Sequence, residues 1–450
     1  MASARGEFSS RFGFVMAAAG SAVGLGNIWG FPTQAASNGG AAFLLVYLFL
    51  AFTLAYPALM AELIIGRHAH ANAVSALRLI SPTPLLRHIG ATTGVIGLIV
   101  ASLILSFYAI VAGWMIAFCL SSLSQLLEMT EVSDWLTSFG LPRNIFFMLA
   151  FMALTVGIIS EGVREGIERW SERLMPVLLV TLVLLVLYVL TLDGAMEGLK
   201  VYLLPDVERA LSPQLIISAL GAAFFSLSLG VGTMLIYGSY INDDENLPVV
   251  GSLVTLVDIS IAVIAGFLVL PAMYVALHNG VEIFTDTGEL ISEDTLIFTV
   301  LPELFNTMGT TGTVISFTFF ALMSIAALTS SISMLEVPVA YTIEEHGVGR
   351  KKAVFVIGGL IALVSTVILM NFSGLFGLVV AFTTRYSQPL LGFMFCVYAG
   401  WIWHRDQLLQ EVRKGSPKVE HTLFWSIWPW YVRFVCPVII LAIFAQSILG

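Results

Sequence analysis

Apolar runs long enough to cross a bilayer recur along almost the whole of this 450-residue chain. They lie near 11–36, 41–66, 89–122, 145–160, 174–192, 214–241, 247–278, 313–343, 353–370, 374–403 and 424–449, eleven in all. A hydrocarbon core about 30 Å thick needs roughly 20 residues of helix to span it, because lipid cannot satisfy backbone polar groups. The pattern therefore predicts an all-α membrane protein of about eleven transmembrane helices. The run 145–160 is short, and 89–122 and 247–278 are long enough to tilt. Composition agrees: 58% of residues are hydrophobic and 11% charged, with a mean hydropathy of +0.94, where soluble domains carry about 25% charged residues. The longest polar connection is 279–312, so no soluble domain fits and residues 1–450 read as a single transmembrane domain.

Charge gives the orientation. With a cytoplasmic N-terminus, Arg5, Arg11, Arg67, Arg78, Arg87, Arg164, Arg169, Arg173, Arg350, Lys351, Lys352, Arg405, Arg413, Lys414, Lys418 and Arg433 fall inside. Only Arg143, Lys200 and Arg209 fall outside, and Arg385 lies within a span. Positive charge is retained on the cytoplasmic side, so a cell-membrane protein with N-terminus inside is expected. An odd span count then puts the C-terminus outside. The net charge of −9 gives no sign of a nucleic-acid partner. Cys119, Cys396 and Cys436 sit in apolar runs and predict neither a disulfide framework nor a metal cluster. Glu7 and two arginines precede the first apolar run, and no cleavable signal is expected.

Two of the runs are marked by glycine. The first contains "GSAVGLGNIWGFP" at 20–32, with Gly24 and Gly26 one residue apart and Pro32 behind them. The sixth contains "AAFFSLSLGVGTMLIYGSY" at 222–240, with Gly230 and Gly232 in the same spacing. Glycine costs about 1 kcal/mol against alanine inside a helix, and proline removes a donor. Glycine also lets membrane helices pack closely, which one such pair alone would leave open. A matched pair five spans apart points instead to two halves related by an inverted repeat, about 11–192 and 214–403, with an extra helix at about 424–449. Interrupted helices at mid-membrane offer N–H groups to a carboxylate and carbonyls to a cation. Asn27, Ser226 and Ser228 lie beside the interruptions. Asp258, in "TLVDISIAVIAG", is an isolated intramembrane carboxylate, which is costly and marks function unless it faces a water-filled vestibule.

"RFGFVMAAAGSAVGLGNIWGFP" followed by "NGGAAF" at 38–43 resembles the first span of the neurotransmitter:sodium symporter family, and looks closest to its bacterial, LeuT-like amino-acid transporters. The resemblance extends to "ELIIGR" at 62–67, Tyr108, "FFSLSLGVG" at 224–232 and "AALTSSIS" at 326–333. It implies a 5+5 inverted repeat with helices one and six unwound at the midplane. It implies no enzyme activity, but sodium-coupled symport of a neutral amino acid by alternating access.

Two sodium sites are implied. The first corresponds to Ala22, Asn27, Ser226 and Asp258; the second to Gly20, Val23, Ala326, Thr329 and Ser330. The substrate pocket corresponds to Ser21, Ala22, Gly26, Ile104, Tyr108 and Phe225, with Ser226, Ser228, Val231, Ser330 and Met334. Tyr108 is expected to bind the substrate carboxylate through its hydroxyl, with amides near Leu25 and Gly26. Gly24 stands where amine-transporting relatives place an aspartate, which implies a substrate that brings its own acid. Asp258 supplies fixed negative charge, while Ala262 stands where other bacterial members place an acid; transport is expected to need no chloride.

The chain also departs from the family. The charged outer gate is replaced by Gly30, Ala222 and Val380, with Arg385 nearby as a candidate replacement. An inner pair of Arg5 and Glu344 is retained. Gly166 and Pro176 match a segment that unwinds in similar transporters, although a plain helix start near 174 fits the residues as well. A β- or γ-amino acid or a sulfonate analogue remains an alternative substrate. A sodium-permeable channel or ligand sensor on the same scaffold is the alternative of a different class.

Overall fold

The computed structural model describes residues 6–204, 210, 212–283 and 296–449. Arg5, Arg209 and part of the 279–312 connection lie outside these residues. Helix is the regular structure throughout, and there is no strand among the described residues. Among the described residues, eight helices are long and apolar enough to cross a membrane, or nine if the bent pair Arg11–Ala22 and Gly26–Ser37 is one span. Of the other expected spans, the sixth is a 14-residue helix, Pro213–Ser226, followed by Thr233–Gly238. The tenth is a helical run, 372–402, interrupted by wider turns at Ala381–Ser387 and Tyr398–Ile402.

We number the helices that carry the argument α1 (Arg11–Ala22), α2 (Gly26–Ser37), α3 (Ala41–Ala69), α4 (Pro84–Leu126) and α5 (Val163–Val189). They are followed by α6 (Pro213–Ser226), α7 (Thr233–Gly238), α8 (Leu247–His278), α9 (Gly309–His346) and α10 (372–402). At 43 residues, α4 is roughly 65 Å long, twice the hydrocarbon thickness. Thr83 caps it and Pro84 opens it, the position where a missing N–H costs nothing. Its middle third is buried at Ile104, Leu105, Tyr108 and Ala109. Leu45, Phe49, Leu184, Leu187, Phe355 and Leu363 point outward as exposed apolar side chains, as a lipid-facing surface requires.

The interruptions appear where the glycines predict them. α1 ends at Ala22, α2 begins at Gly26, and the axes differ by 57°. Between α6 and α7 the chain turns through Ser228 (φ 51°), Gly230 (φ 77°) and Gly232 (φ 84°). A serine in left-handed backbone is uncommon, and such strain concentrates at functional sites. The second half of this span lies against α3 at backbone contact: a Cβ on Gly66 would fall 2.0 Å from the Leu235 carbonyl.

The fifth span differs from the plain start expected near 174. α5 begins at Val163 and continues through Pro176. The early start is fixed by Glu168, which is buried and accepts hydrogen bonds from the Ser9 amide (2.9 Å), the Ser9 hydroxyl (2.8 Å) and the Ser10 amide (3.2 Å). One carboxylate thus ties the N-terminus of α1 to the first turns of α5. Gly13 allows the approach, since a Cβ there would fall 2.1 Å from Glu168 Oε1.

Candidate functional site

The two interruptions face each other. Ser228 Oγ donates to the Ser21 carbonyl at 3.0 Å, bridging the breaks in the first and sixth spans. Ser21 Oγ donates to Ser333 Oγ on α9 at 2.7 Å. Around this junction lies a cavity lined by Ala22, Gly24, Leu25, Gly26, Ile104, Tyr108, Phe225, Ser228, Val231, Ser330, Met334 and Gln388. Nine of the eleven residues expected at a substrate pocket are therefore collected in one place. The other two, Ser21 and Ser226, turn their hydroxyls away from it, to Ser333 and to Asp258. The sequence reading missed Gln388.

The cavity is contracted to about 20 Å³, the room of one water. Tyr108 Oη accepts a hydrogen bond from the Leu25 amide at 3.2 Å. At both glycines a Cβ would fit only if a neighbouring side chain shifted. A Cβ on Gly24 would lie 2.5 Å from Ser330 Oγ and 2.7 Å from Tyr108 Oη. One on Gly26 would lie 2.7 Å from the Phe225 ring.

Asn27, Ser226 and Asp258, expected together, form one buried network. Asn27 Nδ2 donates to Asp258 Oδ1 and to Ser226 Oγ, both at 2.7 Å, and Ser226 Oγ donates to Asp258 Oδ2 at 2.7 Å. Asn27 Oδ1 accepts from the Gly24 amide at 3.2 Å. Tyr47 adds a donor to Ser226 at 3.2 Å. This tyrosine was not singled out from sequence; a lone phenol inside "FLLVYLFLAF" was the available signal. Carboxylate, amide and hydroxyl oxygens are the hard donors that suit a small hard cation.

The second expected set also converges. Ser330 Oγ lies 3.1 Å from the Val23 carbonyl and 3.3 Å from that of Gly20. Thr329 Oγ1 donates to the Ala326 carbonyl at 3.0 Å. Gly20 allows α1 to meet α9, since its Cβ would fall 3.1 Å from Thr329 Cβ. These are again oxygen donors, several of them main-chain carbonyls beside a helix end.

Above the cavity, Leu25, Gly26, Tyr108 and Phe225 separate it from a chamber of about 410 Å³. Trp29, Phe107, Trp114, Phe372 and Phe376 wall the chamber, and Gly30 and Val380 share it. Two of the three positions expected to have lost the outer charged gate thus face one space. Ala222 and Arg385 are not among the lining residues; Arg385 is exposed, 5.9 Å from the Tyr386 ring centre.

On the opposite side, Glu344 accepts from the Asn72 amide (2.8 Å) and side chain (2.9 Å); its expected partner Arg5 lies outside the described residues. Buried Glu336 on α9 pairs with Arg350 at 2.6 Å and accepts from Tyr240 at 2.7 Å. Glu62 on α3 accepts from the Gly230 amide at 2.7 Å, fixing the sixth-span break to the bundle.

Known proteins resemble this chain over nearly its whole length. The chain matches the sodium:neurotransmitter symporter family over residues 5–140 and 128–450. An uncharacterized sodium-dependent transporter of Bacillus subtilis, YhdH, is 35% identical, covering 98% of this chain and 97% of its own length. A second uncharacterized sodium-dependent transporter, from Haemophilus influenzae, is 32% identical over 99% and 98%. The solved structure of MhsT in complex with L-phenylalanine superposes with a TM-score of 0.84 at 33% identity, covering 98% of this chain and all of that one. The chain is a multi-pass membrane transporter, not an enzyme, and belongs to the sodium:neurotransmitter symporter family.

Proposed function

We propose that this protein couples sodium entry to uptake of a neutral amino acid by alternating access, without requiring chloride. The observation that carries the reading is the pocket between the two helix breaks, where Tyr108 Oη sits at the Leu25 amide. A phenol proton and amides at a helix start are matched to a carboxylate. Gly24 leaves no acid to hold a bare amine, and Val231, Ile104 and Met334 give the side chain an apolar wall. A relative of this fold with L-phenylalanine bound supports an amino-acid substrate.

Sodium would be held at Ala22, Asn27, Ser226 and Asp258, and at Gly20, Val23, Ala326, Thr329 and Ser330. Asp258 places a fixed negative charge in the first set, which is the argument against a chloride requirement. The contracted cavity and the wide chamber above it fit a cycle in which Phe225 and Tyr108 act as the lid. Two interrupted spans five spans apart support halves of about 11–192 and 214–403 arranged as inverted repeats. The Lys and Arg asymmetry supports a cytoplasmic N-terminus in the cell membrane.

Thermal-shift measurement on the detergent-solubilised protein tests this reading. Neutral L-amino acids should raise the melting temperature in NaCl and in sodium gluconate but not in KCl. Equal stabilisation in potassium, or none by any amino acid, contradicts it.

A further inference from the structure

Gln388 lines the cavity, is 3% exposed, and has Oε1 buried without a hydrogen-bond partner. A buried amide oxygen left unpaired costs about 1–3 kcal/mol, so its persistence needs a reason. The other polar side chains around the cavity are already engaged. Ser228 donates to the Ser21 carbonyl, Ser330 lies on the Val23 carbonyl, and Tyr108 accepts from Leu25. Gln388 sits at the start of a helical segment following a run of wider turns in α10. It is pressed against the sixth-span break: a Cβ on Gly230 would fall 2.1 Å from the Gln388 carbonyl. That backbone contact fixes the residue beside Gly230 and Val231, on the apolar wall of the cavity.

We propose that Gln388 is a specificity-determining residue, whose Oε1 accepts a hydrogen bond from the side chain of the substrate. The inference rests on the amino-acid pocket proposed above and names the substrate class: neutral amino acids carrying a side-chain donor, either a hydroxyl or an amide. A site built to hydrogen-bond a donor rejects the analogue that lacks it far more strongly than an apolar wall rejects a hydroxyl. A bridging water would satisfy Gln388 equally well without producing selectivity, and an ammonium contact would serve all amino acids alike. Both alternatives predict no discrimination between shape-matched substrates.

The test uses the full-length protein in proteoliposomes with a sodium gradient. Uptake is measured for threonine against valine, asparagine against leucine, and tyrosine against phenylalanine. The wild-type protein should favour the donor-bearing member of whichever pair it transports by about tenfold or more in kcat/KM. In Gln388→Met that ratio should collapse toward one, because the donor-bearing member loses its acceptor. Gln388→Leu serves if the methionine variant does not insert, and the wild-type ratio stands without either. Equal uptake within each pair by the wild-type protein overturns the assignment of Gln388, as does an unchanged ratio in the variants. A variant slowed equally for every substrate overturns it as well. Absence of sodium-dependent uptake of any amino acid by the wild-type protein is a distinct result, which overturns the pocket reading and this inference together.

Discussion

Asn27 Nδ2 lies 2.7 Å from Asp258 Oδ1, joining the interrupted first span to α8 through a hydrogen bond buried from solvent. The carboxylate is bound on both oxygens, since Ser226 reaches the other at 2.7 Å. In the proposed reading Asp258 is the fixed charge of a sodium site, which makes a mobile anion unnecessary. Replacing chloride with gluconate at constant sodium should leave uptake within about twofold. Asp258→Asn removes the charge and should lower sodium-dependent uptake at least tenfold, with partial recovery in chloride. Each lost buried charge-assisted bond is worth about 1.5–3 kcal/mol. A large chloride effect on the wild-type protein contradicts the assignment.

Gly24 and Gly26 separate binding from folding. Gly26→Ala sets a methyl 2.7 Å from the Phe225 ring, a side chain that must shift to admit it. Alanine also favours helix by about 1 kcal/mol. This variant should insert and melt at or above the parent temperature without substrate, yet bind substrate weakly. Gly24→Ala meets Ser330 Oγ and Tyr108 Oη together and should abolish binding. Tyr108→Phe removes only a hydroxyl and should weaken binding while sparing the fold. Combined with Gly26→Ala its effect should be far from additive, because both act on one carboxylate. If Gly26→Ala unfolds the protein and Tyr108→Phe is silent, the glycines serve packing.

The chamber beyond Phe225 and Tyr108 invites a charge-restoration experiment. A side chain at Gly30 meets nothing within 4 Å, and Val380 lines the same space. Gly30→Arg should therefore fold, but it places a cation among aromatic walls with no acid among the lining residues. Uptake should fall at least tenfold, and Gly30→Arg with Val380→Asp should recover most of it. Failure of the pair to recover, with both singles inserted, means that the two positions do not meet during transport.

Acid stability should depend on Glu411, which lies beyond the spans in helix Arg405–Arg413. Burial pushes its carboxyl up. The hydrogen bond from His68, the Arg67 charge at 2.7 Å and Lys414 at 3.0 Å outweigh that and hold it at about 2. The ordinary carboxyl value is about 4.3. The stabilisation is therefore complete above about pH 5 and is lost as pH falls toward 2. Melting temperature measured from pH 3 to 7 should drop on the acid limb in the wild-type protein. Glu411→Gln should be less stable at pH 7 by about 3 kcal/mol, since Arg67 loses its buried partner, and its acid limb should be flatter.

The helix breaks were legible in the sequence because paired glycines weaken a helix that the surrounding apolar run would otherwise sustain. Asp258 was legible because a lone acid inside a span is too costly to keep without a use. The Glu168 clamp on Ser9 and Ser10 was not, because its partners lie some 159 residues apart. Without it the polar stretch before Pro176 reads as a loop, yet it is the first part of α5. Arg67 appeared only as a cytoplasmic charge at the end of a motif, and its partner Glu411 is 344 residues away. Tyr47 and Gln388 each look like single polar residues in apolar surroundings. Their roles depend on which neighbour the bundle brings close, and spacing along the chain carries no trace of that.

Sodium-coupled symport stands or falls on uptake of a labelled neutral L-amino acid into proteoliposomes, driven only by an inward sodium gradient in chloride-free medium. Accumulation should be saturable and rise above the external concentration. It should vanish when potassium replaces sodium and be sharply reduced in Tyr108→Phe. Equal uptake in potassium, or accumulation that never exceeds equilibrium, would rule out coupling to sodium.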